Sequence, residues 1–422
     1  MILHRQPVRH LALVAAFLPL IGCGGVLGSA PQAKLGQTKP AQAMFGYAVA
    51  DEPQAALVAR QILAQGGNAA DAAAAAGFAL SVTLPSRGGL GGGGACIARM
   101  PDAKGRLQPP VALLFPPGPP ASGGKDRPAA VPALARGLLA LQARYGALPY
   151  SSVVLPAERL AAGVPVSPAL AADLQVVDGA LLADPAAAMV FARPDGTPLR
   201  AGDNLAQPDL AATLERLRTQ GVQGFYAGDF PQDLVAAANQ AGADLSVTDL
   251  AATLPRFTAP TPATEDGYRL AWLPSAGPPA KGPLPASAGF ATLDRNGGTV
   301  ACAVTMNNLF GTGRIAPGTG ILLAASPRVV PAPVLAAGIA YDSHSKAFRA
   351  AVTGTGQAAA AAAAEQGMYA ALHNTLAKVP EPGVREPGRA NIISCPRGVP
   401  GGEASCTASA DPRGFGLAVG GK

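Results

Sequence analysis

The chain has 422 residues, of which 49% are apolar and 14% charged, and its formal net charge is +6. With a mean hydropathy of +0.24, this excludes a disordered chain, which needs more charge and fewer apolar residues. The lysines and arginines are scattered, without a basic run or interleaved aromatics, so the surplus reads as a mildly basic surface and nucleic acid is not an expected partner.

His4, Arg5, Arg9 and His10 make a basic start, followed over 11–21 by an apolar run too short to span a bilayer. Leu20-Ile21-Gly22-Cys23 follows directly. It resembles a bacterial lipobox, whose cysteine is lipidated and becomes the first residue of the mature protein. This predicts a signal peptide over 1–22, a tether over 23–43 and a lipid anchor to the membrane at Cys23. The expected location is the cell envelope, facing the periplasm or the exterior. The alternative is an ordinary signal peptide that contains a cysteine. Without Cys23, four cysteines remain: Cys96, Cys302, Cys395 and Cys406. An exported chain can keep disulfides. Three connectivities are open, and Cys395 with Cys406, flanking a loop rich in Pro and Gly, is a candidate pair. No zinc spacing is present, and only His344 and His373 follow the predicted signal peptide, so no metal is expected.

In chain order, a short helix is predicted over 55–65, ending at Gly66-Gly67. Asn68 caps a second helix, with Asp71 placed to reach back to the cap, and an alanine run carries it to about Val82. Arg87-Gly-Gly-Leu-Gly-Gly-Gly-Gly94 links this helix to a strand over 95–100. A phosphate loop links a strand to a helix, so these glycines read as close approach of a helix layer to a sheet. Another strand is predicted over 111–115, then helices over 131–145, 151–162, 209–218 and 231–240. The stretch 257–289 reads as irregular apart from a strand over 268–272, and 274–285 is the clearest composition boundary. Strands follow over 289–293, 299–305 and within 339–352, with 294–298 as a hairpin turn, and a helix over 358–376.

Several of these segments resemble the γ-glutamyltransferase family. They are Gly66-Gly-Asn-Ala-Ala-Asp-Ala-Ala73, Gly88-Gly-Leu-Gly-Gly-Gly-Gly94, Tyr145-Gly-Ala-Leu-Pro149, Phe310-Gly-Thr-Gly313, Pro317-Gly-Thr-Gly-Ile-Leu-Leu323 and Asp411-Pro-Arg-Gly414, in the family's order. The resemblance covers most of 44–420, although the family's long helical stretch before its nucleophile shrinks here to about 274–286. It implies an α+β fold: the αββα sandwich of the N-terminal-nucleophile hydrolases, helix-rich first and β-rich later. It also implies a large-subunit-like region over 44–286 and a small-subunit-like region over 287–422, intertwined in one fold and forming a heterodimer if cleaved. No cofactor is implied, because the freed α-amine of the nucleophile serves as its base.

Aligning the family's nucleophile strand on Asp294 puts Ser287 at the nucleophile; the alternative is a serine in a Pro/Ala linker. Thr305 and Asn307 fall where the family places a supporting hydroxyl and a substrate-contacting amide; otherwise they are a strand-turn pair. Gly354 and Gly356 are candidates to bind an oxyanion through backbone N–H groups, or else they mark a tight turn. The family's substrate-carboxylate Arg is replaced within Leu114-Phe-Pro-Pro117. Its amine-binding Asp is absent from Ala324-Ala-Ser-Pro-Arg-Val329, and its paired serines from Pro333-Val-Leu-Ala336. Arg328 and Arg87 are candidates to take over the carboxylate. Two functions follow: an autocleaving transferase or hydrolase acting on a small γ-glutamyl compound or another amide, or a non-catalytic envelope lipoprotein that keeps the fold as a binding or structural module.

Overall fold

A computed structural model of the protein describes residues 45–122, 127–274, 287–375 and 388–420. The signal peptide, the tether and Cys23 lie outside the described residues, as does nearly all of the composition boundary. Two antiparallel sheets stack face to face. The first takes β1 (Gly46–Ala50), β2 (Gly93–Arg99), β3 (Val111–Phe115) and β4 (Arg256–Thr258). The second begins with β5 (Thr261–Glu265) and β6 (Tyr268–Trp272). The first sheet then gains β7 (Ser287–Asp294) and β8 (Thr299–Thr305), and the second β9 (Ala336–Asp342), β10 (Phe348–Thr355), β11 (Arg389–Val399) and β12 (Thr407–Ser409). A last strand, β13 (Leu417–Val419), returns to the first sheet. The orders are β13-β1-β7-β8-β2-β3-β4 and β12-β11-β10-β9-β6-β5. The first sheet therefore draws strands from both sides of residue 287.

Helices cover the two outer faces. On the first sheet lie α1 (Pro53–Ala64), α2 (Ala69–Thr83), the one-turn α3 (Pro85–Gly88), α4 (Leu134–Tyr145), α5 (Tyr150–Ala162), α6 (Pro168–Leu181) and α7 (Pro208–Gln220); α8 (Ala360–Leu372) packs on the second. The result is the αββα order, α+β in class. All fifteen residues of α2 are buried. Its alanines let α1, α4 and α5 close around it, as expected for a helix apolar on every face. Asn68 accepts from the Ala70 and Asp71 amides, and Asp71 accepts from the Asn68 amide, which completes a capping box.

Strand alternation sorts side chains between layers. In β7, Ala288 and Phe290 face the helices, while Ala291 and Leu293 face the second sheet. Disulfides join Cys96 to Cys302, opposite each other on β2 and β8, and Cys395 to Cys406.

Several expected elements shift. The helix expected from 131 begins at Leu134, because Ala133 before it is outside the helical region. The run 339–352 is a hairpin, β9 and β10, turning near Ser343–Lys346. The helix expected over 358–376 divides into a 3-10 turn (Gln357–Ala359) and α8. Helix α6 and strands β5 and β11 were not expected from the sequence.

Candidate active site

Ser287 is the first residue of β7 and lies directly opposite Thr305 on β8, which in turn lies opposite Gly93 on β2. Alternation turns Ser287 and Gly289 toward the second sheet, on the same face as Ala291. Ser287 is 1% exposed, and its Oγ is buried without a hydrogen-bond partner. An orphaned hydroxyl in a native interior calls for an explanation.

The glycine-rich turn after α3 brings the loop against this strand end. A Cβ on Gly92 would stand 2.3 Å from the Thr305 carbonyl oxygen, so only glycine lets the two backbones meet. Thr305 is held by its neighbours: its Oγ1 accepts from the Asn307 amide at 2.8 Å. Asn307 is buried, in the left-handed region at φ 61. This is uncommon for a non-glycine residue, although Asn tolerates it best. Its Nδ2 donates to the carbonyls of Ala325 at 2.8 Å and Pro117 at 3.1 Å. Its Oδ1 is buried without a partner. Thus Ser287, Thr305 and Asn307 come together at one end of the inter-sheet layer.

The two glycines part company. Gly354 lies within β10, opposite Ala336 on one side and Ala390 on the other, a ladder position rather than a turn. A Cβ there would stand 2.0 Å from the Ala360 carbonyl oxygen, so its role in packing α8 is evident. Gly356 follows the strand at φ 114 and opens the 3-10 turn.

The second sheet closes over Gly289. A Cβ there would stand 2.4 Å from Thr353 Oγ1 and 3.4 Å from Thr355 Cγ2. Thr353 Oγ1 is another buried atom without a partner. Asp51, just past β1, binds the same spot. Its Oδ2 accepts from the Gly289 amide at 2.7 Å and its Oδ1 from Asn391 Nδ2 at 2.8 Å, and the Asn391 amide also donates to the Gly289 carbonyl at 3.2 Å. Burial pushes the Asp51 carboxyl above its ordinary value, against the Gly289 amide, Arg87, Asn391 and Arg389.

The two cations proposed to receive a carboxylate are otherwise engaged. Buried Arg87 holds Asp173 bidentately, at 2.8 Å from Nε and 2.6 Å from Nη2, and Ser86 Oγ joins at 2.7 Å. Arg328 donates to the carbonyls of Ser122 and Ala121 in an exposed setting. Asp51, Asp173, Asn391 and Arg389 escaped sequence reasoning, since they come from three distant segments, the end of β1, α6 and the start of β11, that only the fold brings together. A hollow of about 630 Å3, lined in part by Arg136, Tyr150 and Tyr226, contains none of these residues.

A family model described as gamma-glutamyltranspeptidase matches residues 55–108 and 117–288, ending one residue past Ser287. The chain belongs to the gamma-glutamyltranspeptidase family. Among its relatives, the glutathione hydrolase proenzyme of Escherichia coli is 30% identical over 262 residues, covering 58% of this chain and 44% of that protein. The acylase ACY 1 proenzyme of a Pseudomonas species is 32% identical over 256 residues, covering 56% and 45%. The chain thus spans less than half the length of these relatives. In fold it is similar to the cephalosporin acylase of Bacillus halodurans, with a TM-score of 0.71 at 19% identity over 89% of this chain and 95% of that one. That likeness is one of fold and agrees with the αββα sandwich described above.

Proposed function

We propose that this gamma-glutamyltranspeptidase family member is an autocleaving amide hydrolase or acyltransferase whose nucleophile is Ser287. One observation carries the proposal: a buried, unpartnered hydroxyl on the first residue of a strand, opposite Thr305. In the precursor, Ser287 Oγ attacks the Ala286 carbonyl and the peptide bond shifts to an ester. Water then hydrolyses that ester, releasing Ala286 as a carboxylate and the Ser287 α-amine. The chain up to Ala286, with the large-subunit-like region 44–286, and residues 287–422 become the two subunits.

In the mature enzyme, the α-amine takes the Oγ proton as the hydroxyl attacks an amide carbonyl, and passes it to the leaving amine. Water or an acceptor amine then attacks the acyl ester and returns the free serine. Thr305 lies beside the hydroxyl, and we assign oxyanion donation to the Gly356 backbone, since Gly354 occupies a ladder position. Relatives named glutathione hydrolase and acylase support acyl chemistry, with a small γ-glutamyl amide or another amide as substrate. Cys23 is the proposed lipid anchor and the envelope the proposed location; two disulfides suit an oxidising compartment.

Intact mass and N-terminal sequencing of the purified protein, beside Ser287→Ala, test the nucleophile. The expected result is two fragments in the wild type, the smaller starting at Ser287, and one chain in the variant. A single uncut chain in both would remove the proposal and leave the non-catalytic envelope module.

A further inference from the structure

Ser287 is the first residue of β7, and cleavage before it would make it a chain end. Chain ends fray unless something ties them down. On one edge of β7, pairing with β8 runs as far as Ser287 itself, opposite Thr305. On the other edge, the register with β1 stops earlier, at Ala50 opposite Phe290. The main chain then turns away, because Glu52 caps α1 and Pro53 opens it.

Asp51 completes the pairing that the backbone gives up. Its N–H donates to the Gly289 carbonyl at 3.0 Å, as the next ladder bond would. Its side chain supplies the return bond: Oδ2 accepts from the Gly289 amide at 2.7 Å. Asn391, from the second sheet, closes the group. Its Nδ2 donates to Asp51 Oδ1 at 2.8 Å and to the Gly289 carbonyl at 3.2 Å. The adjacent buried carboxylate, Glu52, is turned instead to Thr83 Oγ1 and the Ala55 amide.

Along an antiparallel strand, the N–H and C=O groups of successive residues alternate between the two edges. Those of Gly289 point to Asp51, so those of Ser287, two residues on, point to the same edge. The nitrogen of the bond to be cut therefore emerges on the side where Asp51 is the last pairing in the β1 register. Gly289 cannot be anchored by a side chain of its own, since a Cβ there would stand 2.4 Å from Thr353 Oγ1. Its hold comes through the backbone. Resting on Ser287 as nucleophile, we infer that Asp51 and Asn391 form a positioning clamp on Gly289. The clamp sets the Ser287 end of β7 for cleavage and keeps the freed α-amine and hydroxyl in place afterwards. What it requires of residue 51 is an acceptor aimed at the Gly289 amide, not a negative charge.

The test follows the full chain, made by cell-free translation under oxidising conditions, and measures how fast the Ser287 N-terminus forms well below each variant's melting temperature. Asp51→Leu, of similar size, removes the acceptor and should slow cleavage about tenfold or more. Asp51→Asn keeps an acceptor for the Gly289 amide and should stay within about threefold of the wild type. Asn391→Ala should also slow cleavage. The double variant Asp51→Leu, Asn391→Ala should be little slower than Asp51→Leu, since both residues act on one group. Phe348→Leu, in the inter-sheet core at the other end of β10, is the control: it should lower the melting temperature without slowing cleavage. Asp51→Asn as slow as Asp51→Leu would overturn the clamp in favour of the charge. Wild-type cleavage in Asp51→Leu, or equal slowing in Phe348→Leu, would overturn it outright. If the wild type does not cleave, the nucleophile assignment fails by itself, and hydrogen exchange decides for the clamp. The Gly289 amide should then exchange about tenfold or more faster in Asp51→Leu than in the wild type, a larger change than in the amides of α2. Equal Gly289 exchange in the two would end it.

Discussion

At the Ser287 end of the sandwich, Arg87 is buried with both arms of its fork on Asp173. At the far end, where β2 finishes, Arg99 is equally buried but places one N–H on the Lys346 carbonyl and its plane 4.3 Å above the Tyr341 ring. Its Nε and Nη1 have no partner. Unpartnered polar atoms therefore occur at both ends and do not alone mark a reactive site. The ends differ in what accompanies those atoms. At the first end, Ser287 Oγ, Asn307 Oδ1 and Thr353 Oγ1 sit among matched charges and tightly apposed backbones, on a serine that begins a strand. At the second, Arg99 rests on the Tyr341 ring and the Lys346 carbonyl.

Breaking the matched pair should have the largest effect. Asp173→Ala strands the Arg87 charge, and loss of one partner from a buried pair costs about 3–5 kcal/mol. Urea unfolding measures it. The double variant Arg87→Met, Asp173→Leu should cost less than the single one; an equal or larger cost would mean that the pair contributes net stability. Next is Gly92→Ala. Its methyl would enter the space of the Thr305 carbonyl, and such overpacking costs up to about 3 kcal/mol. Because the push falls on Thr305, formation of the Ser287 N-terminus should slow as well. Unchanged processing would separate the glycine loop from the site.

Asp51→Asn tests the electrostatics at this end more finely. One amide face would meet the donors of Gly289 and Asn391, with an expected loss of about 1–2 kcal/mol. The pH dependence has a definite sign. Burial raises the folded carboxyl above 3.8, so the folded state holds this proton more tightly than the unfolded one. The contribution of Asp51 is therefore greatest below 3.8 and is lost as pH rises through the raised folded value. The advantage of the wild type over Asp51→Asn should narrow from pH 4 upward in melting experiments. A widening gap would mean that Arg87 and Arg389 outweigh burial.

The sequence made the layers more legible than the contacts between them. Residues with local grammar were readable: Asn68 with Asp71 as a cap, the alanine run of α2, and the 294–298 turn joining β7 to β8. The glycine run was correctly read as close approach because it joins a helix to a strand. Long-range groups left no such mark. Asp51 and Asn391 are 340 positions apart yet share a hydrogen bond, and nothing around either residue announces it. Arg389 follows a proline-rich stretch that gives no sign of β11. The Ser287 end was accordingly legible as losses against a family pattern, while the charges that stand there emerge only when the two sheets are stacked.

The smallest expected effect belongs to the far end. Arg99→Met removes a charge that burial pulls down to about 10, with Tyr341 opposing. Replacing a poorly matched buried ion by an apolar side chain of similar length is often neutral or stabilising, so stability at pH 7 should be equal or slightly higher. The folded state releases this proton before the unfolded one, so the penalty is fully present below about 10 and eases as pH rises toward the unfolded value. Wild-type and Arg99→Met melting temperatures should therefore converge between pH 7 and pH 10.5. A large loss at pH 7 would show that the Tyr341 face and the Lys346 carbonyl stabilise Arg99 as effectively as Asp173 stabilises Arg87, and the contrast between the two ends would disappear.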